Sequence, residues 1–153
     1  MSPHFEPDPT AVQATIEILD KGEYEFIIGK PKSFQRTKDD GGESIGVRYG
    51  MTVAEGAKKG AKTFYSCYVA TEGGLSFAKQ FLMAALGYKA TQQDEKKFNE
   101  ALRGSDWALN TDDGTCGAVW EQPAGNHVIG TVDIGENPKT GEPNQRWVKF
   151  RPV

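Results

Sequence analysis

The sequence is poor in the residues that build metal centres. Two cysteines, Cys67 and Cys116, and two histidines, His4 and His127, occur in the 153 residues, and the cysteines lie in separate segments. A structural zinc site needs four such ligands, usually in closely spaced pairs, so the sequence predicts no zinc centre. We expect two plain thiols, buried or half-buried, and no cofactor.

Long apolar runs and a targeting segment are also missing. No stretch of eighteen apolar residues occurs, and the opening residues MSPHFEPDPT hold no basic segment followed by an apolar one. The sequence therefore predicts neither a membrane span nor a secretory signal, and we expect a cytoplasmic protein without a membrane partner.

Motifs of the common enzyme classes are absent as well. The chain has no G-x-x-x-x-G-K-[ST], G-x-S-x-G or H-E-x-x-H pattern. Asp112 and Asp113, in TDDGT, are more typical of a turn than of a cation site. We expect a protein that is not an enzyme. A glycosidase with paired carboxylates is left open, because carboxylates that are distant in sequence can meet in the fold.

The residues that are present indicate one folded, strand-rich domain. Charged residues make up 25% and hydrophobic residues 37%, a balance that permits a core. The 18 glycines and 8 prolines lie mainly between apolar runs, as in strands joined by turns. We expect a single domain over residues 1–153, with residues 1–10 as an irregular N-terminal arm.

Alternation of apolar and polar residues predicts most of the strands. In ESIGVRYGMTV one face holds Ile45, Val47, Tyr49, Met51 and Val53. The other predicted strands are GEYEFIIGKPKSFQRT, bulged near Gly29 and Pro31, then KTFYSCYVAT, DWALNT, CGAVWE, HVIGTVDIG and RWVKFRPV. The segment AVQATIEILD fits a helix or a strand.

After the third predicted strand, the spacing of apolar residues changes to a helical periodicity. Apolar residues in GGLSFAKQFLMAALG recur at three and four, which predicts a helix ending at Gly87. A second helix is predicted in TQQDEKKFNEALRG, from the N-cap Thr91, with Asp94 at the capping-box position, to Gly104. Three strands, a small helical insert and closing strands is the order of a mainly β OB-fold, a five-stranded Greek-key barrel. Residues 105–121 would elaborate it.

Four segments, in this order between residues 20 and 153, carry a family resemblance: GEYEFII, GGLSFAKQFLMAALG, ALRG and TGEPNQRWVKFRP. Together they resemble bacteriophage-encoded OB-fold single-stranded DNA-binding proteins. The resemblance implies non-sequence-specific binding of single-stranded DNA in phage replication or recombination, within the host cytoplasm and without catalysis. Replication or recombination proteins would be further partners, and a homodimer is left open. Many replicative proteins of this kind recruit partners through an acidic tail, which the ending KFRPV does not resemble.

Charge is segregated along the chain, although the net charge is −3. Residues 1–25 hold six acids and one base, whereas residues 26–64 hold eight bases and four acids. The closing NQRWVKFRPV has three bases and no acid. An acidic protein with this distribution can still present a basic face to nucleic acid.

Binding of single-stranded nucleic acid without sequence preference needs phosphate contacts and surfaces for base stacking. The cations and aromatic rings on the predicted β-strands supply both. If Tyr65, Cys67 and Val69 are core, the alternate residues of that strand face outward; if Val148 and Phe150 are core, Trp147 faces outward. The predicted nucleic-acid-binding residues are Lys30, Lys32, Phe34, Arg36, Arg48, Lys62, Phe64, Tyr68, Lys139, Arg146, Trp147, Lys149 and Arg151. The loops 38–43 and 135–144 would flank them. A register error of one residue would reverse each assignment.

Two other functions would use the same residues. In a β-rich structural or protein-interaction module, such as a phage assembly component, the aromatic residues would form a core or a subunit interface. In a carbohydrate-binding barrel, exposed tryptophans would stack on sugars. Trp107 and Trp120 are expected in the core or at an interface, because no basic residue flanks them.

Overall fold

The computed structural model of the chain describes residues 19–37, 41–136, 138 and 140–153. The described part is mainly β. Its elements are β1 (Gly22–Thr37), β2 (Glu43–Val53), β3 (Lys62–Tyr68), α1 (Glu72–Ala85), α2 (Gln92–Ala101), β4 (Leu109–Asn110), β5 (Thr115–Cys116), α3 (Ala118–Glu121), β6 (His127–Glu136) and β7 (Pro143–Arg151). The expected arm at residues 1–10 and the ambiguous segment AVQATIEILD, except for its last two residues, lie outside the described residues.

Five antiparallel strands form one sheet in the order β3-β2-β1-β6-β7. The long strand β1 is its centre, because residues 22–27 pair with β6 and residues 26–37 pair with β2. The register between β1 and β2 shifts between Ile28 and Pro31. Proline has no N–H to donate to a regular ladder, and the bulge expected near Gly29 and Pro31 is confirmed.

Alternation along β2 and β3 separates a buried face from an exposed one. Val47, Tyr49, Met51 and Val53 are buried as predicted, and Ile45 is half-buried. In β3 the buried residues are Thr63, Tyr65 and Cys67, and the exposed ones are Lys62, Phe64 and Tyr68. The predicted phase of both strands is therefore confirmed.

The second half of β1 is covered on its other edge by the β4–β5 hairpin. Ser33 N donates to the Gly114 carbonyl at 3.0 Å, and Ser33 Oγ lies 2.9 and 2.8 Å from the carbonyl oxygens of Asn110 and Thr115. Only Leu109–Asn110 of the predicted strand DWALNT pairs in this hairpin. The hairpin closes an edge that β6 leaves unpaired.

The predicted strand CGAVWE is wrong, because Ala118–Glu121 forms the short helix α3. Val119 and Trp120 are adjacent and both buried, which a helical turn permits and a strand, whose neighbours point to opposite faces, does not. Trp120 is therefore in the core, as expected, and its Nε1 donates to the Trp107 carbonyl at 2.9 Å. Trp107 itself is 39% exposed.

Both predicted helices form, and Thr91 is the N-cap of α2 as expected. The capping-box bond expected of Asp94 is replaced, because Thr91 N donates to the Lys89 carbonyl at 2.9 Å. The Thr71 and Thr91 hydroxyl oxygens accept from Gly74 N and Asp94 N, each at 3.1 Å, at the starts of α1 and α2. The Asp94 carboxylate accepts from Lys89 N at 2.6 Å. Gly87 and Gly104, which follow the helices, have φ values of +90° and +75°. Glycine adopts this left-handed region without the penalty that other residues incur.

Aromatic rings dominate the core between the sheet and α1. Phe81 of α1 lies 4.7 Å from Tyr65 and 4.9 Å from Phe150, measured between ring centroids. The Tyr49 hydroxyl donates to the Trp120 carbonyl at 2.6 Å, and burial raises its pKa. Cys67 is buried and Cys116 half-buried, as expected, and burial raises the pKa of the Cys67 thiol to about 12.

Side chains also join β3 to β7, the two ends of the strand order. Trp147 Nε1 donates to the Phe64 carbonyl at 3.0 Å, and Gln145 Nε2 donates to Thr63 Oγ1 at 3.1 Å. The sheet therefore curls so that its first and last strands meet. None of the helices in the described part of the chain is long and apolar enough to cross a membrane.

Candidate nucleic-acid interface

The outer face of β1, β2 and β3 carries two neighbouring rows of residues. Phe34, Gly46 and Tyr68 stand opposite one another across the three strands. The next row consists of Lys32, Arg48 and Ser66. Because side chains on the other face fill the core, these rows point away from it.

Four residues of this face form a group that we call the aromatic-arginine cluster: Phe34, Arg48, Phe64 and Tyr68. The Arg48 guanidinium carbon lies 5.3 Å from the Phe34 ring centroid and 5.5 Å from that of Phe64. The rings of Phe34 and Tyr68 meet edge to face at 5.9 Å. Both Phe64 and Tyr68 are 39% exposed. The cluster thus presents π surfaces around one cation.

Two residues that sequence reasoning missed hold this cluster in place. Ser66 Oγ accepts from Arg48 Nε at 3.3 Å. At Gly46 a Cβ atom would lie 2.7 Å from the Phe34 ring and 2.5 Å from the Cys67 carbonyl, so a side chain there would displace the ring. A glycine inside a regular strand is a signal of such close approach, and it was available in the sequence.

Two clefts flank the cluster, with Arg36 in both. The small cleft, of about 340 Å³, is lined by Lys32, Ser33, Phe34, Arg36 and Arg48. The large cleft measures about 620 Å³ and is lined by Arg36, Thr37, Glu43, Ser44, Ile45, Tyr68, Ala70, Thr71 and Gly74. The small cleft is thus lined by three cations, whereas the large cleft holds one cation, Arg36, and one acid, Glu43.

Other predicted residues lie around or beyond this surface. Lys30 is exposed within the β1 bulge, and Lys62 is exposed opposite Thr52 at the start of β3. Lys139 lies outside the described residues, as does part of each predicted flanking loop.

The expectation that Trp147 faces outward is wrong. Its ring is half-buried against the core, 5.0 Å from Phe26 and 5.2 Å from Phe150 between centroids, and stacked on the latter. Phe150 is buried as predicted, whereas Val148, expected in the core, is 51% exposed. Trp147 therefore packs on the core, and its half-buried ring is not the outward stacking surface that was expected beside Lys149.

A bulge in β7 explains this error. The ladder pairs Thr131 with Lys149 and Val132 with Trp147, so Val148 is an extra residue without a partner on β6. An inserted residue changes the phase of alternation, so Trp147 and Phe150, which a regular strand would place on opposite faces, fall on the same face. Nothing in the alternation of RWVKFRPV marks this position.

The cations of β7 lie beside acids or over the backbone rather than in the cluster. Arg151 Nε and Nη2 donate to the two carboxylate oxygens of Glu23 at 3.1 and 2.5 Å. The hydrogen bond from Arg151 lowers the pKa of Glu23, and the nearby charge of Lys149 adds to this effect. Arg146 stands opposite Asp133 and extends over Gly135. In the described part of the chain Arg151 is thus paired with an acid, while Arg146 and Lys149 lie near Asp133 and Glu23 without an ion pair of their own.

The predicted site therefore divides into two groups. Lys32, Phe34, Arg36, Arg48, Phe64 and Tyr68 come together around the clefts, whereas Arg146, Trp147, Lys149 and Arg151 are held by β7 in other surroundings. The first group has stacking surfaces and unburied cations, which suit a polymer of flat bases joined by phosphates.

The chain matches no known protein family model, and no curated protein shows significant sequence similarity to it.

Proposed function

We propose that this protein is an OB-fold single-stranded DNA-binding protein whose binding surface is the outer face of β1, β2 and β3. The strand order β3-β2-β1-β6-β7, the helix α1 after β3 and the side-chain contacts between β3 and β7 support the OB-fold. That fold commonly binds oligonucleotides on strands two and three, where the aromatic-arginine cluster lies.

The aromatic-arginine cluster is the observation that carries the proposal. The partly exposed rings of Phe64 and Tyr68 offer faces beside a cation, and each base that stacks on such a ring gains about 1–3 kcal/mol. Arg48 supplies a charge for a phosphate, or a planar guanidinium for a further base.

Binding in this way would be largely insensitive to base sequence. Stacking accepts any base, and Lys32 and Arg36 would contact phosphates, which all nucleotides share. The protein would protect or present single strands without performing chemistry. A role in phage replication or recombination, with proteins of those systems as partners, follows only from the family resemblance.

Fluorescence anisotropy with a labelled oligothymidine tests the proposal. We expect binding at low salt that weakens steeply as salt rises, because each neutralised phosphate releases counterions. Unlabelled duplex DNA should compete poorly. Absence of binding at low salt would overturn the proposal.

Phe64→Ala tests the stacking role directly. We expect its affinity for oligothymidine to fall roughly 5- to 150-fold, equivalent to the loss of one stacked base. Leu75→Ala is the matched control, since Leu75 is 44% exposed on α1 and lies outside the cluster. If both variants bind like the wild type, the cluster is not the DNA-binding surface. Binding to another protein or to a glycan would then explain the exposed rings.

A further inference from the structure

We propose that the large cleft takes one unstacked guanine of the bound strand, so that the protein prefers guanine at a single position. This inference rests on the proposed function and names the base that one part of the same surface selects. The guanine would stack on Tyr68, with its N1 and N2 groups toward Glu43 and its O6 and N7 atoms toward Arg36.

The cleft exists because β2 extends beyond β3. The last residue of β3, Tyr68, pairs with Gly46, so Glu43, Ser44 and Ile45 project past the end of β3. The chain then turns into α1, with Val69 N donating to the Ile45 carbonyl at 3.0 Å. The gap between this projecting segment and the start of α1 measures about 620 Å³, within the range of about 300–1,000 Å³ that is usual for small-molecule sites.

A carboxylate is unexpected on a surface that binds phosphates. Both Glu43 and Arg36 are exposed in the cleft, and within residues 19–37, 41–136, 138 and 140–153 neither takes part in an ion pair. Glu43 would repel the DNA backbone, so it suits a contact with the donor groups of a base. The cleft therefore offers two hydrogen-bond acceptors, the carboxylate oxygens of Glu43, together with the N–H donors of the Arg36 guanidinium.

Guanine is the DNA base that matches both groups. Its N1–H and N2–H donors lie side by side, and a carboxylate accepts both, while arginine donates to O6 and N7. In cytosine and adenine the amino group adjoins a ring nitrogen that accepts, which would face a carboxylate oxygen unfavourably. Thymine has one N–H between two carbonyl oxygens. Tyr68, with its ring edge to face with Phe34, is the wall on which the base would stack.

Anisotropy with oligothymidines that carry one central substitution tests this inference. We expect a single dG to tighten binding roughly 5- to 150-fold over all-thymine DNA, the discrimination that a bidentate contact gives. Inosine, which lacks the N2 amino group, should lose most of this gain, and 7-deazaguanine should lose the part due to N7. A preference for dA or dC over dG would overturn the proposal.

The variant Glu43→Gln tests whether the preference arises in the cleft. It should remove most of the advantage of dG, leaving the part due to Arg36, while binding to all-thymine DNA stays equal or becomes tighter, because a negative charge is removed. Glu55→Gln, at an exposed acid outside the cleft, is the control and should keep the preference. If the wild type binds oligothymidine without favouring dG, this inference fails and the proposed function stands. Failure to bind oligothymidine at all would remove both.

Discussion

At the scale of single residues, the type of a residue does not show whether it is a candidate for ligand binding or a structural residue. Its surroundings show this. Phe64 and Trp147 are joined by a hydrogen bond from the indole to the Phe64 carbonyl, yet their rings lie in opposite environments. The Phe64 ring is beside Arg48 and partly exposed, whereas the Trp147 ring is packed on Phe26 and Phe150. The same contrast applies to cations, since Arg48 contacts rings and Arg151 contacts an acid.

Trp147→Ala should destabilise the fold rather than remove a stacking surface. Loss of a ring packed among three core aromatics leaves a cavity, and we expect the free energy of unfolding to fall by about 3 kcal/mol, the lower end for large aromatic truncations. Urea unfolding measures this loss, and Trp147→Phe, which keeps a ring, should lose less. An unchanged urea midpoint together with weaker DNA binding would show that Trp147 stacks on bases.

The pair of Glu23 and Arg151 predicts a small pH dependence of stability. Its hydrogen bond lowers the pKa of Glu23 from the ordinary value of 4.5. A carboxyl group with a depressed folded pKa stabilises the protein above its unfolded pKa, and this contribution is lost as the pH falls through the folded value. The wild type should therefore exceed Glu23→Gln in urea midpoint by more at about pH 7 than at about pH 3. A difference in midpoint that grows as the pH falls would contradict this. The effect is small, because the pair is exposed.

At the scale of elements, regular alternation and helix caps were enough to predict most of the architecture. The phase of β2 and β3, both major helices and the β1 bulge follow from residue patterns and from Pro31. That phase also predicted correctly that Arg48, Phe64 and Tyr68 lie on the exposed face. The failures are α3, where two adjacent residues are buried, and β7, where an inserted Val148 reverses the phase. Both depend on tertiary packing, which periodicity does not encode.

Deletion of Val148 tests the bulge in β7. The remaining residues keep their pairs, Lys149 with Thr131 and Trp147 with Val132, and regular alternation then leaves both Trp147 and Phe150 on the core face. We expect a folded protein with a cooperative urea transition. Deletion of Thr131, in the regular partner strand β6, is the matched control. It should prevent folding, because it moves one half of the strand to the wrong face. Equal loss of structure in both variants would contradict the assigned register.

At the scale of the whole molecule, the outer surface of the sheet has two regions of different charge balance. Across β1, β2 and β3, the small cleft holds Lys32, Arg36 and Arg48 beside the Phe34 ring, and the large cleft holds Arg36 and Glu43. Across the start of β1, β6 and β7, Glu23 and Glu25 pair with Arg151 and His127. This arrangement gives a chain with a net charge of −3 a locally cation-rich region on its outer surface.

The two regions should respond differently to charge removal. Lys32→Ala should reduce the magnitude of the slope of log affinity against log salt by about 0.7, the value for one phosphate contact on a single strand. Arg151→Ala should leave this slope unchanged, since Glu23 already neutralises its charge. Salt titrations of oligothymidine binding measure both. A larger change for Arg151→Ala would move the binding surface to β7.

The buried thiol of Cys67 and the half-buried thiol of Cys116 make the protein suitable for site-specific labelling. Maleimide dyes react with the thiolate, and burial raises the pKa values of both Cys67 and Cys116 and restricts access to them. A cysteine placed at an exposed position of α2, as in Lys96→Cys, would react much faster than either native thiol. A fluorophore could thus be attached at one chosen point without replacing Cys67, whose side chain fills the core.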